Sequence, residues 1–191
     1  AQALSFFLMT LIFVSFKKGE EDPSFSLRTR KNRVVGDWKV SSGKTTYEES
    51  ASNGSIPYSE VYLYTETGYS YTETTGIVSQ QYEGGHSYYM KFNRNGAILF
   101  TEIFDGSMST YRGKWDFNKG VGDAKAKEKI NVHFESLENS AGTKTYKGDQ
   151  INATYSITEL RNRKMVLRSE YTIKNTDGTG SSYKEYYVLE Q

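Results

Sequence analysis

The sequence predicts an all-β protein, an antiparallel meander of about 8 to 10 strands that closes into a barrel and follows a hydrophobic N-terminal segment. Beyond residue 33, apolar and polar residues alternate in segment after segment, and helical spacing of apolar residues never continues beyond one or two turns. The 16 tyrosines, 17 glycines and two prolines also suit strands joined by tight turns. Such a meander must close or bury its edges, which favours a barrel.

The composition excludes several classes of function. The 191 residues suffice for one domain, or for one domain with a tail. Because the sequence has no cysteine, it can supply no disulfide, thiolate metal site or thiol nucleophile. The 24 basic and 23 acidic side chains give a formal charge of +1, which is too small to attract nucleic acid over the whole surface.

Residues 1–16 form a hydrophobic segment, and residues 17–32 form a polar tether that leads to the barrel of residues 33–191. As a helix, the run from Ala3 to Phe16 reaches only about 21 Å, short of the ~30 Å hydrocarbon core of a bilayer. The run therefore resembles the hydrophobic region of a signal peptide. If the run is a signal peptide, it is either a lipoprotein signal or a plain secretory signal. A buried core helix is the remaining alternative.

The end of the hydrophobic segment is similar to a bacterial lipoprotein signal, in which a small residue precedes the cysteine that receives the lipid. Ser15 occupies the small-residue position, and Phe16 stands where the lipidated cysteine is expected. The charged run from Lys17 to Asp22 resembles the stretch that directs lipoproteins of the Bacteroidetes group to the outer-membrane surface. We therefore expect an exported protein on the periplasmic or cell-surface face of the outer membrane, as a lipoprotein or former lipoprotein.

Ten strands are predicted from the alternating pattern and the turn residues between its segments. Their ranges are Val34–Ser42, Ser59–Glu66, Tyr69–Thr75, His86–Asn93, Ala97–Phe104, Ser109–Phe117, Lys129–Leu137, Ile151–Glu159, Lys164–Ile173 and Ser182–Glu190. We interpret the polar stretch from Gly43 to Gly85 as an elongated hairpin or a loop at the open mouth.

Two turns set the register of the central hairpins. Asn-Arg-Asn-Gly at 93–96 fits a type I turn with a glycine bulge, and Asp-Gly at 105–106 fits a type I′ turn. The cross-strand pairs that these turns predict are Phe92–Ile98, Met90–Phe100, Phe100–Tyr111, Glu102–Ser109 and Phe104–Ser107. Because both turns place the same side chains on one face, we predict that this face is the inside of the barrel.

From residue 33 to residue 191 the chain resembles the lipocalin-like domains of secreted and outer-membrane lipoproteins. The resemblance rests on Gly36-Asp37-Trp38 in the first strand, on 92–96, on a second Gly-x-Trp at 113–115, and on the paired segments 155–160 and 164–168. In that family the first tryptophan closes the barrel base beneath a basic side chain, which implies a structural plug role for Trp38. The candidates for its basic partner are Arg163, Arg168 and Lys184.

Few side chains suit catalysis or metal binding. His86 and His133 lack the spacing of metal ligands, so we expect two solvated surface histidines and no metal. Glu102 is the one charged side chain that the predicted register places inside. It is a candidate ligand contact or perturbed acid, or it lies at a barrel end and meets water or an arginine. Solvated faces are expected for the glutamates of the polar stretch: Glu48, Glu49, Glu60, Glu66, Glu73 and Glu83.

These observations favour a non-enzymatic protein that binds a small hydrophobic ligand inside the barrel. The candidate cavity residues are Met90, Phe92, Phe100, Glu102, Tyr111 and Trp115. The alternative is a filled barrel that acts as an accessory or interaction subunit of an outer-membrane protein complex, for which the tyrosine-rich stretches near 58–71 offer a contact surface. We expect no cofactor and no nucleic acid in either case.

Overall fold

The computed structural model describes residues 29–50, 56–118, 129–146, 152–174 and 179–191. Within these ranges it contains one helix, α1 (Arg30–Val34), and eleven strands. The strands are β1 (Gly36–Ser50), β2 (Tyr58–Thr65), β3 (Gly68–Thr75), β4 (Val78–Phe92), β5 (Ala97–Phe104), β6 (Ser107–Asn118), β7 (Lys129–Asn139), β8 (Gly142–Thr145), β9 (Asn152–Leu160), β10 (Lys164–Lys174) and β11 (Gly180–Glu190). No helix in the described ranges has the length and apolar character needed to cross a bilayer.

All of these strands belong to one antiparallel sheet, in which each strand lies beside the next one along the chain with a single exception. β9 pairs with β7 instead of β8, which extends only along the end of β7. The first strand, β1, pairs with the last, β11, from Lys39–Glu190 to Ser50–Gly180. The sheet is therefore closed, and the predicted all-β antiparallel barrel is confirmed.

The barrel widens from one end to the other. At the end that we call the base, β1 pairs directly with β4, from Gly36–Phe92 to Lys39–Tyr89. Above this level the β2–β3 hairpin lies between them. Leaving β8 aside, ten strands surround the wide end, which we call the mouth, and eight remain at the base where β2 and β3 are absent.

The predicted register of the central hairpins is confirmed at every pair, from Phe92–Ile98 in the first to Phe104–Ser107 in the second. Asp105 and Gly106 have φ values of 47° and 80°, as a type I′ turn requires. Local turn chemistry therefore decides which side chains of β4, β5 and β6 face the lumen.

The sheet extends further than the sequence pattern predicts. Because β1 continues to Ser50 and β4 begins at Val78, the polar stretch is built of long strands, which agrees with an elongated hairpin at the mouth. β8 was not predicted, since Gly-Thr-Lys-Thr shows no apolar alternation. Val34 ends α1 instead of beginning a strand, because the Thr29 hydroxyl caps this helix by accepting the Asn32 N–H at 3.3 Å.

The hydrophobic core fills the base of the barrel. Its fully buried side chains are Val34, Trp38, Val40, Phe92, Ile130, Leu160, Met165, Leu167 and Leu189. The indole N–H of Trp38 donates to the carbonyl of Val34 at 2.7 Å, so the polar atom of this buried ring is satisfied.

The three predicted basic partners of Trp38 do not lie against it. Arg168 stacks on the Tyr186 ring of the outer face at 5.1 Å, and Lys184 is on the same face. Arg163 is exposed in the turn between β9 and β10. These predictions are wrong because Arg168 and Lys184 are at outward-facing strand positions and Arg163 is in an exposed turn. The buried basic side chain at the base is Arg33, which donates to the carbonyl of Leu160.

One glycine controls how closely β6 and β7 approach each other. A Cβ on Gly113 would lie 2.0 Å from the carbonyl oxygen of His133 and 2.8 Å from the Cα of Phe134. Both contacts are with backbone, so no side-chain rotation relieves them. The register between the two strands also shifts at this point. Gly113 is therefore required by the barrel wall itself.

We expect Gly113→Ala to lower the free energy of unfolding by about 1 to 3 kcal/mol or more, because it overpacks two paired backbones. Gly85→Ala is the matched control: it is also in a strand, and a Cβ there meets nothing within 4 Å. Chemical denaturation of both variants measures the difference. Equal stability of the two would contradict the close contact of β6 with β7.

Trp38→Ala tests the plug role that the family resemblance implies. Trp38 is 1% exposed, so removing its ring should cost about 3 to 5 kcal/mol in the free energy of unfolding. Tyr89→Ala, at a 40% exposed outward position of the adjoining strand, should change it by no more than about 0.5 kcal/mol. A loss for Trp38→Ala as small as that of the control would rule out the plug.

Candidate functional site

The six predicted cavity residues all face the lumen, but they differ in burial. Met90, Phe92 and Trp115 are buried in the core, and we call them the lower group. Phe100, Glu102 and Tyr111 are only partly buried, and we call them the upper group. Phe100 and Tyr111 are in the same cross-strand row as Met90, and Glu102 is one row nearer the mouth.

The lower group is closed by its own packing. The rings of Phe92 and Trp115 meet edge to face with their centroids 5.4 Å apart, and the Trp115 indole N–H donates to the Asn93 carbonyl at 3.0 Å. With 1% and 4% of their surface exposed, these two side chains contact protein on all sides. A ligand that touched them would have to displace the core. The upper lumen, where Phe100, Glu102 and Tyr111 are partly exposed, is therefore the candidate site.

Three tyrosine rings form the floor of the upper lumen. The ring centroid of Tyr64 lies 5.4 Å from that of Tyr88 and 6.0 Å from that of Tyr187, and the last two rings are 5.9 Å apart. The three residues come from β2, β4 and β11, which are far apart along the chain. This floor separates the apolar core below from the more polar side chains of the upper lumen.

His86 lies inside the barrel, so the prediction of a solvated surface histidine is wrong at this position. Its side chain is 1% exposed, and its ring centroid lies 3.8 Å from that of Tyr88. Within the described residues its Nε2 has no hydrogen-bond partner. The inward sequence Tyr88, Met90, Phe92, extended back by one alternation step, would have located it.

Glu102 faces the lumen opposite Ser109, as the register predicts. Its Oε1 accepts a hydrogen bond from the Tyr88 hydroxyl at 3.0 Å and lies 3.6 Å from Nε2 of His86. The side chain is 24% exposed, so the carboxylate can be reached from the mouth. Its partner is a tyrosine, and no arginine contacts it within the described ranges.

A second carboxylate occupies the opposite side of the floor. Glu185, on β11, accepts hydrogen bonds from the hydroxyls of Tyr183 at 2.7 Å and Tyr187 at 3.2 Å. The Tyr187 hydroxyl also lies 3.4 Å from that of Thr45. Sequence analysis did not place Glu185 inside, because no tight turn of predictable type sets the register of β11 against β1.

A third acidic group lies nearer the mouth, on the β2–β3 hairpin. Glu60 and Glu73 are directly opposite each other, half-buried, on the inward face. The Tyr71 hydroxyl donates to both carboxylates, at 3.3 Å and 3.2 Å, and the Tyr58 hydroxyl donates to Glu60. The prediction of solvated faces is therefore wrong for these two glutamates.

The tyrosines of the lumen hold their protons strongly. Burial raises the pKa of Tyr64 to about 12. Burial, with neighbouring acidic groups adding to it, raises the pKa values of Tyr88, Tyr155 and Tyr187 well above the ordinary value. These phenols therefore stay protonated over the whole physiological pH range, and Tyr88, Tyr155 and Tyr187 donate hydrogen bonds to Glu102 or Glu185.

The described residues offer binding groups more readily than reactive ones. No three carboxylate or imidazole groups among them converge to hold a metal ion. His133 points outward and pairs with Asn152, in agreement with its predicted place on the surface.

The mouth carries a groove of about 660 Å³, lined in part by Tyr58, Ile173 and Ser181, at the level where the lumen opens.

Comparison with known proteins returned no matching family model, curated sequence or solved structure. Phe16 and the hydrophobic segment of residues 1–16 lie outside the described residues.

Titration of the folded protein should separate its 16 tyrosines into classes. Tyr64, Tyr88, Tyr155 and Tyr187 should remain protonated above pH ~10, where unfolded tyrosine ionises, and ultraviolet absorbance of phenolate counts the groups that ionise. Because these folded-state pKa values are raised, their contribution to stability is complete below pH ~10 and is lost as the pH rises through them.

The control for this titration is the same protein in denaturant, where all tyrosines should ionise together. Tyr64→Phe should remove one group from the late class. A folded protein whose tyrosines all ionised with one midpoint near pH ~10 would contradict the closed tyrosine floor.

Proposed function

We propose that this barrel is a non-enzymatic binding protein that admits a small, mainly apolar molecule through the mouth into the upper lumen. The observation that carries the proposal is the division of the inner face. Side chains at the base are sealed in the core, whereas Phe100, Glu102 and Tyr111 face the lumen and stay partly exposed.

The chemistry of the upper lumen supports a ligand with an apolar body and a polar end. Aromatic rings of Phe100, Tyr111 and Phe134 lie 5.4 to 6.1 Å apart and form a continuous apolar wall. Carboxylates and phenols lie beside this wall at a few positions. Small-molecule sites commonly combine a large apolar lining with a few polar groups that fix orientation.

We propose further that the protein is exported and held at the outer membrane by its N-terminal segment, as a lipoprotein or former lipoprotein. The support is the sequence of residues 3–22. The described chain begins at Thr29, and α1 contacts β9 beside Leu160 at the base.

A second candidate function is docking to an outer-membrane protein, and the composition of the mouth favours it. Ile77, at the tip of the β3–β4 turn, is fully exposed, and Ile56, Val78 and Ile173 are also more than half exposed. Exposed apolar side chains that together form a contiguous patch are a feature of protein contact surfaces. A barrel that takes up no small molecule would favour this function over ligand binding.

The neutral dye N-phenylnaphthylamine, which fluoresces in apolar sites, tests for binding in the lumen. We expect saturable enhancement with the wild-type protein and its loss in Ser109→Trp, because Ser109 points inward opposite Glu102 and the indole would fill the chamber. Thr110→Trp is the matched control, since the next residue along β6 points outward and should leave the enhancement intact.

Thermal unfolding of both variants checks that the barrel still forms. Absence of enhancement in the wild type, or equal binding by Ser109→Trp and wild type, would refute ligand binding in the upper lumen.

A further inference from the structure

The near-neutral total charge hides a strong separation of charge between the two faces of the barrel. Five glutamates stand at inward register positions of the described strands: Glu49, Glu60, Glu73, Glu102 and Glu185. On these same strands Lys144, in the short β8 at the rim, is the one lysine or arginine at an inward position. Other cations of the wall, such as Lys44, Arg168 and Lys184, point outward.

The hydrogen bonds inside the lumen do not cancel this negative charge. The carboxylates of Glu102 and Glu185 accept hydrogen bonds from tyrosine hydroxyls, those of Tyr88 and Tyr183 respectively. A phenol donates a hydrogen bond but carries no charge, so these hydrogen bonds do not neutralise the carboxylates. An interior of low dielectric constant strengthens its attraction for a cation.

Aromatic faces in the lumen suit the same type of guest. The ring of Phe100 lies 5.1 Å from that of Tyr88, which donates to Glu102, and 5.5 Å from that of Tyr111, and these rings are tilted and not stacked. The face of an aromatic ring attracts a positively charged group through its quadrupole. Carboxylates alone would attract water and metal ions, whereas carboxylates framed by rings favour organic cations.

His86 provides an independent sign of a missing partner. Its Nε2 is buried, 3.6 Å from Oε1 of Glu102, and has no hydrogen-bond partner within the described residues. A buried polar atom in this condition is uncommon in folded proteins and calls for a partner. In the tautomer that carries its proton on Nδ1, Nε2 accepts a hydrogen bond from a nitrogen donor placed beside Glu102.

We propose that the ligand of the upper lumen is an organic ammonium ion, whose charged nitrogen lies beside Glu102 and His86 and whose apolar body lies against Phe100 and Tyr111. This inference rests on the proposed function and specifies the chemical class of its ligand. The ammonium group donates to the Glu102 carboxylate and to Nε2 of His86, and the phenol of Tyr88 holds the carboxylate in place.

Three probes of one shape and different charge test the proposal by displacement of N-phenylnaphthylamine. They are phenethylammonium, phenethyl alcohol and hydrocinnamate. We expect the cation to bind at least about tenfold more tightly than the alcohol, and the anion more weakly than the alcohol. This comparison uses the wild-type protein alone, so it does not depend on the folding of any variant.

Glu102→Gln should abolish the preference for the cation, so that phenethylammonium and phenethyl alcohol bind with about equal affinity. Glu138→Gln is the matched control, because Glu138 is on the outer face, paired with Arg112 at 3.3 Å, and should keep the preference for the cation. Loss of the preference in both variants would place the effect in the general charge of the protein and overturn the assignment to Glu102.

The outcomes distinguish the two levels of the proposal. If the dye binds in the lumen and the alcohol displaces it as well as the cation does, the ammonium assignment is overturned and ligand binding stands. If the dye does not bind the wild-type protein at all, the proposed function itself fails.

Discussion

The pairing of β1 with β11 is the constraint on which the rest of the barrel depends. It joins residues near the start of the described chain to its last strand, from Lys39–Glu190 to Ser50–Gly180. Without this ladder, both strands would present unpaired backbone groups, and the sheet would have two open edges. Closure is what separates an inside from an outside, and every statement about the lumen follows from it.

A single irregularity in this ladder decides which side chains enter the lumen. Trp38 and Val40 face inward below the bulge between Val40 and Ser42, and Gly43 and Thr45 face inward above it. One extra residue has therefore moved the inward positions from even to odd numbers. Had alternation continued unbroken, Lys44 would point into the lumen and bring a cation beside the tyrosine floor.

Gly43 shows how the tyrosine floor is assembled from distant strands. It pairs with Tyr64 on one side and Tyr187 on the other. A Cβ at this position would lie 2.8 Å from the Tyr187 ring and 3.2 Å from the Tyr64 ring. Because glycine leaves this space free, the rings of Tyr64 and Tyr187 approach each other across β1. The backbone of β1 at Gly43 therefore forms part of the floor.

The sequence predicts the parts of this structure that local turns control, and misses those that depend on distant pairing. Asn-Arg-Asn-Gly and Asp-Gly each fix their own hairpin, so the inward position of Glu102 could be predicted without knowing the rest of the barrel. Glu60 and Glu185 could not, because their strands meet β1 through pairings whose phase changes at a bulge that no local motif marks. His86 was missed for another reason. We expect a histidine at the start of a strand to be solvated, whereas continuing the alternation of Tyr88, Met90 and Phe92 by one step places it inside.

The base of the barrel and the part above the tyrosine floor differ in the side chains that they bury. The base is apolar around Trp38 and Leu189, and the guanidinium buried there, that of Arg33, donates to the Leu160 carbonyl. Above the floor, arginine or lysine partners would neutralise Glu102 and Glu185 and fill the chamber with long side chains. Tyrosine hydroxyls satisfy the same oxygen atoms and leave the charge in place. This remaining charge is the one that the proposed ammonium ligand would meet, on the less polar side of the barrel wall.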